Sequence, residues 1–467
     1  MTPHKNVAQA TQFPNVTSAG NPFQSIGFGI LLLFLFILFS RTFDVVASSL
    51  QIPFIVSCLV LAATIFSGGI LRVWQHKIGR YLLAFTVWMA IATPFSFWRS
   101  GSIVTLQGWL KAFLVYVCIV GLIATYDQTL RTIKVLGFAV LVLSILAIVR
   151  GNNSTGRLFL SEGKFQNPND LAQILLMGLP FLWLMVKDSR QNVLFKIPTF
   201  LLTGLVFYVM LKTGSRGAFF GFVALLVFIF LRSSLEDRLI LTVLSLFLFA
   251  FALIIVPSGL RSRYTTLFSS EADEVTGASQ YMNDIAVASS EARQRVLRMS
   301  VEMTLKHPIL GVGPGMFAEA VEDDLRQQGK RTTFLLSHNS YTQVSSEMGF
   351  PGFFLYLAVL FSCFKATNSI MRASKLRSGG RWENIGNTAA CLQMSVFAYA
   401  ATALFSSVAY QSLLPTVAGL CTALYLSVQD ELAQEAVGVR VGVEESSNSM
   451  RPVPSAPRLT SPAGQGI

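Results

Sequence analysis

From residue 24 onward the chain is a succession of apolar runs, each close to the ~20 residues a helix needs to cross a bilayer, separated by short polar breaks. The runs at 24–40, 46–68, 80–98, 103–124, 132–149, 169–186, 197–212, 217–231, 239–256, 349–371, 386–407 and 411–428 predict about twelve transmembrane helices. Short alternating segments of the kind that build a membrane barrel do not occur. One long interruption, residues 257–346, separates the first nine helices (24–256) from the last three (347–428). The polar lead 1–23 carries no signal-peptide cleavage pattern, and the tail 429–467 is rich in Ser, Pro, Gly and Glu; both read as disordered.

Composition sharpens the class. With 52% hydrophobic and only 13% charged residues over 467 positions, an ordinary soluble domain is excluded. The net charge of +12 would point to nucleic acid in a soluble protein, but here many cations occupy connections between spans, so no nucleic-acid partner is expected. If the N-terminus is cytoplasmic, the inner loops hold Arg72, Lys77 and Arg80, then Arg131 and Lys134, then Lys187, Arg190 and Lys196, then Arg372, Lys375, Arg377 and Arg381. The short outer loops hold fewer cations, so both termini are placed inside and 257–346 faces outward. All five cysteines fall in apolar runs without disulfide or zinc spacing and read as packing residues.

The long loop is where function is expected, because connections of that length in compact proteins are usually functional. Ser290 can cap a helix in which Val296, Leu297, Val301 and Thr304 share a face and Arg293, Arg295 and Arg298 lie partly opposite, a pattern that suits an amphipathic helix on the outer membrane surface. Next, His307–Phe317 has Gly311, Gly313 and Gly315 around Pro314 but lacks the Lys-Ser/Thr of a phosphate loop, so it reads as a sharp turn. The loop closes on Ser337-His338-Asn339-Ser340, which leads through Glu347, Gly349 and Gly352 into the next span. His338, one of four histidines, has an ordinary pKa near ~6.5 and can exchange a proton at neutral pH.

Further candidates lie among the earlier spans. Thr213-Gly214-Ser215-Arg216 is a tight turn that fixes Arg216 at an outer mouth, where its planar fork suits a phosphate. Lys111 interrupts the run LQGWLKAFLVY and suits either a role near a lipid phosphate or helix pairing. Trp98 and Trp109 read as interfacial anchors. The acidic runs at Glu271–Glu274 and Glu322–Asp324 read as solvated loop surface, with Asp44 kept as an alternative base. No Asp-x-Asp pair stands beside an outer turn, so neither a metal nor a cofactor is expected.

Together, TGSRGAFFG, SSEARQRVLRMSVEMTLKHPILGVGPGMF and SHNSYTQVSSEMGFPGFF resemble the O-antigen ligase and polysaccharide polymerase family, and GKFQNPNDLAQILL is similar to that family's Asn-containing start of its sixth span. The resemblance covers roughly 150–428 and implies a GT-C-like glycosyltransferase of the bacterial inner membrane with one large, partly helical extracytoplasmic loop. It implies an undecaprenyl-pyrophosphate-linked glycan as donor, and lipid A core or a growing polysaccharide as acceptor. Carried over by motif, Arg216 and Arg293 would bind the pyrophosphate and His338 would contact or deprotonate the acceptor hydroxyl. Arg295 and Asn339 are neighbouring candidates. Attack opposite the leaving group would invert the anomeric centre. Polymerase and protein O-oligosaccharyltransferase activities share these motifs. Twelve spans also suit an anion or solute transporter, though no second copy of TGSRG or of the large loop appears.

Overall fold

The computed structural model describes residues 22–43, 52–153, 156–160, 167–188, 192–236, 238–239, 242–243, 278–330 and 336–449, with backbone alone for 278–291 and 436–449. Asp44, most of the predicted span 239–256, and the run Glu271–Glu274 lie outside the described residues.

The elements are α1 Pro22–Ser40, α2 Ile52–Phe66, α3 Lys77–Ala92, α4 Arg99–Leu122, α5 Tyr126–Arg150, α6 Pro168–Lys187, α7 Val193–Lys212, α8 Arg216–Arg232, α9 Ala278–Lys306, α10 Phe317–Gln327, α11 Ser340–Lys375, α12 Gly380–Thr402 and α13 Leu413–Ser449. Among the described residues, seven helices are long and apolar enough to cross a membrane: α1, α3 with its 3-10 extension to Phe95, α4, α5, α6, α7 and α11. The result is an all-helical membrane protein. Local chemistry sets several boundaries. Thr125 and Gln128 form a reciprocal capping box at the start of α5, Asn167 caps α6 ahead of Pro168, and Ser215 caps α8.

α12 lies centrally and carries several polar residues. It packs on α6, α8, α11 and α13, and its polar groups are spent inside the bundle. Gln393 donates to Thr367 Oγ1 (3.1 Å) and Asn368 Oδ1 (3.0 Å), while Ser395 donates to the Met177 carbonyl (3.0 Å). Such bonds join helices where apolar burial against lipid supplies little net drive.

Three expectations change. Trp109 is 1% exposed and donates to Thr86 Oγ1 (2.8 Å), so it belongs to the core rather than to an interfacial belt; Trp98 is exposed. The run 386–407 is cut at Thr402, and residues 403–412 form an ordered turn that becomes part of the site. The face assigned to the loop helix splits in two. Val296, Met303 and Thr304 turn inward, whereas Leu297, Val301 and Leu305 are exposed at four-residue spacing. The inner stripe closes a small separate core with Val312, Met316, Phe317, Val321 and Leu325. Leu297 and Val301 lie one position after Val296 and Ser300, and 100° of helical rotation carries them away from that core.

Candidate active site

The site lies at the end of the bundle where α7 turns into α8, α12 turns into α13, and the α9–α10 segment returns to α11. The α7–α8 turn is rigid. Thr213 Oγ1 donates to the Met210 carbonyl (2.6 Å) and accepts from Ser215 N–H (3.2 Å), and Gly214 takes a left-handed φ of 58°. Arg157, anchored to Asn169 Oδ1 (2.9 Å), donates from Nε to the Thr213 carbonyl (2.8 Å). Arg216 therefore occupies the first position of α8 and is only 9% exposed. Gly217 brings the helix against the next wall, since a Cβ there would sit 2.5 Å from Phe405 Cβ.

His338 is held by a second set of bonds. Ser340 N–H donates to the Ala403 carbonyl (2.8 Å), Ser340 Oγ donates to the Ser406 carbonyl (2.6 Å), and Val408 N–H donates to Ser340 Oγ (2.9 Å). Ser337 Oγ meets Ser407 Oγ at 2.9 Å, and Asn339 Oδ1 caps α11 by accepting from Tyr341 N–H (2.9 Å) and Thr342 N–H (3.2 Å). Between these anchors His338 has φ 49°, a left-handed conformation that few residues other than Gly adopt, His, Asn and Asp more often than the rest. Such strain persists only where the surroundings over-determine it, and here bonds on both sides do so.

The glycine segment acts as a clamp. Val312 N–H donates to the Ser346 carbonyl (2.9 Å), Gly313 N–H to the Glu347 carbonyl (3.0 Å), and Gly315 N–H to Glu347 Oε2 (2.8 Å). On the other side the Val312 carbonyl accepts from Phe97 N–H (2.8 Å) and the Pro314 carbonyl from Ser102 Oγ (2.9 Å). These amides are taken by protein acceptors, which accords with a turn and not a phosphate cradle. Thr304 Oγ1 also meets Ser345 Oγ at 2.8 Å, fixing α9 to α11.

These connections bring Arg216, Arg293 and His338 to the wall of one cavity of about 220 Å³. Gln294, Ser337 and Asn339 add polar groups, while Phe220, Leu297, Leu404 and Phe405 make an apolar side. Arg293 is half-buried and precedes Leu297 by four residues, on the face of α9 that lines the cavity. Arg295 is exposed and does not line the cavity; neither does Lys111, which is exposed midway along α4. Burial, and secondarily the positive charge of Arg293, lowers the His338 pKa below the ordinary histidine value, so the ring is neutral at neutral pH. Among the described residues no three His, Cys, Asp or Glu side chains gather into a metal-binding group. Leu404, Phe405 and the clamp role of Glu347 were not assigned from sequence. The polar run Ser406-Ser407 inside an apolar segment was the available signal for the first two.

The cavity thus combines two guanidiniums and two helix N-termini with an apolar wall, groups that are chemically suited to an anion. The protein is therefore an all-helical membrane protein with a cavity lined by two arginines and a histidine at one end of its bundle. Residues 199–357 match the family model described as O-antigen ligase, a stretch containing Arg216, Arg293 and His338. Over that stretch the chain is similar to the O-antigen ligase family, the family its motifs resemble, and the match supports a ligase- or polymerase-type role in glycan transfer. A search of curated proteins found no match.

Proposed function

We propose that the protein transfers a glycan from an undecaprenyl-pyrophosphate carrier to an acceptor hydroxyl, as an O-antigen ligase-like enzyme of the GT-C kind. The reaction takes place on the outer side of a bacterial inner membrane, with lipid A core or a growing polysaccharide as acceptor. The observation that carries this reading is the shared cavity: side chains from three separated motifs line one space that also offers an apolar wall.

In this reading Arg216 and Arg293 hold the pyrophosphate and stabilise the charge that grows on its oxygens as the anomeric C–O bond breaks. The acceptor oxygen attacks from the opposite face, forming the new C–O bond and inverting the anomeric centre. Its proton passes to His338, whose neutral ring can accept it, and such general-base assistance is worth ~10²–10⁴ in rate. Asn339, already spent as a helix cap through Oδ1, keeps its amide N–H groups for orienting sugar hydroxyls. The guanidiniums perform the charge stabilisation a divalent cation would otherwise supply, so transfer is metal-independent.

The test is transfer from a purified lipid-linked donor to lipid A core acceptor in detergent, with and without EDTA, for wild type and His338→Ala. Loss of transfer in the variant alone is expected. Unchanged transfer by His338→Ala would remove the base role, and abolition by EDTA would remove metal independence. Solute uptake into proteoliposomes without any transfer would favour a transporter.

A further inference from the structure

A second cavity, of about 330 Å³, opens at the opposite end of the bundle between the start of α3, the later part of α11 and Tyr425 of α13. Lys77, Arg80 and Lys365 line it together with His76 and Ser369. The lining contains no carboxylate. Three other cations at this end are matched: Arg381 to Glu431 (2.6 Å), Arg377 to Glu435 (3.3 Å) and Lys134 to Asp188 (2.7 Å). Among the described residues Lys77, Arg80 and Lys365 have no such partner. Three like charges around one small space repel one another unless an anion joins them.

Ser369 already donates its hydroxyl to the Ala366 carbonyl (2.7 Å), whereas Gln75 and His76 can each present an N–H. His76 Nδ1 accepts the Ile78 N–H (3.3 Å) as the cap of α3, which leaves the ring proton on Nε2. Burial, then Arg80 and Lys77, hold its pKa down at about 4, so the ring is neutral and keeps that tautomer at neutral pH. Its face lies on Tyr425, with ring centroids 4.5 Å apart. Imidazole N–H, ammonium and guanidinium groups together suit a ligand that offers acceptors, as a phosphate diester does. The cavity is level with the first turn of α3, where the apolar stretch of that span begins, which is the depth of lipid headgroups. α11 continues ten residues past Lys365 to Lys375, about 15 Å, and walls one side.

We propose that this cavity binds the phosphate of an anionic membrane phospholipid through Lys77, Arg80 and Lys365. A basic pocket between membrane helices at headgroup level has the chemistry for such a lipid. Its occupancy would tie α3, α11 and α13 together at the end remote from His338. The site requires no particular transfer chemistry at the other end.

The full chain in detergent, stripped of lipid, is titrated with phosphatidylglycerol or phosphatidylcholine and bound lipid is counted by native mass spectrometry. Wild type should prefer phosphatidylglycerol. Combined Lys77→Gln, Arg80→Gln and Lys365→Gln should weaken it about a hundredfold, and the exposed Lys365→Gln alone about fivefold, a measurement that stands even should the triple variant fail to fold. Lys375→Gln removes the same charge from the same end outside the cavity and should change little. Equal weakening by Lys375→Gln, or none by Lys365→Gln and the folded triple variant, would overturn the site. Complete displacement of the lipid by inorganic phosphate at its own binding concentration would overturn the lipid assignment in favour of a free anion.

Discussion

Gly349 couples the loop to the site without touching the cavity, which makes Gly349→Ala a demanding test. Within α11 this residue has φ 67° and ψ −172°, a region open essentially to glycine alone. An added Cβ would overlap the backbone carbonyl of Ile309 and stand 2.6 Å from the Pro308 carbonyl oxygen. Neither can rotate away as a side chain could. Backbone strain contributes about 1–3 kcal/mol. Relief by separating the segments would break the bonds from Phe350 N–H to the Pro308 carbonyl (2.8 Å), Val312 N–H to Ser346 and Gly313 N–H to Glu347. At about 1 kcal/mol each, the total reaches roughly 4–6 kcal/mol. Gly329→Ala is the control: φ is 68° and nothing lies within 4 Å, so only the conformational term of about 1–2 kcal/mol remains. Thermal unfolding in detergent and transfer by any folded fraction should separate the two, with Gly349→Ala losing both and Gly329→Ala neither to the same degree. Equal stability of the two variants, with wild-type transfer by Gly349→Ala, would show that the clamp does not govern the site.

Arg216→Lys and Arg293→Lys should each retain little transfer, because a point charge does not reproduce a two-pronged grip on phosphate; full activity of both in the donor assay would reduce them to topology markers. His338 should bind its proton at a lower pH than the ordinary ~6.5, so the acid limb of transfer lies to the acid side of the usual histidine range. Arg293→Gln should move its titration, followed by NMR of labelled imidazole, toward higher pH, and an unmoved or acid-shifted titration contradicts the electrostatics. A cysteine at position 279 in a Cys58→Ser background should react with a membrane-impermeant thiol reagent in intact spheroplasts; labelling only after lysis would reverse the proposed orientation.

Much of this protein is local information. Eleven of the twelve apolar runs coincide with helices α1–α8 and α11–α13, the run 239–256 lying mostly outside the described residues, because a helix meets its backbone hydrogen bonds within itself and so can be found from length and hydropathy. The turn at Gly214 was equally legible, since it acts over a few residues, whereas the start of α11 at Ser340 and of α9 at Ala278 was not. The chemical groups Arg216, Arg293 and His338 could be named from motifs, and their family from the order in which the motifs occur. Their meeting could not be derived from spacing. It depends on Ser340 bonding across to residues 403–408, on Glu347 holding the glycine segment, and on how α9 is rotated where Thr304 meets Ser345 of α11. The exposed stripe Leu297, Val301 and Leu305 is as apolar in sequence as the buried one, so periodicity alone left the rotation of α9 open. The same holds for Trp109 and for the 403–412 turn, where apolar character fits lipid and protein core alike. Hydropathy records how much a segment avoids water, while the partner it meets is decided by long-range packing and hydrogen bonds that exist only once the helices are together.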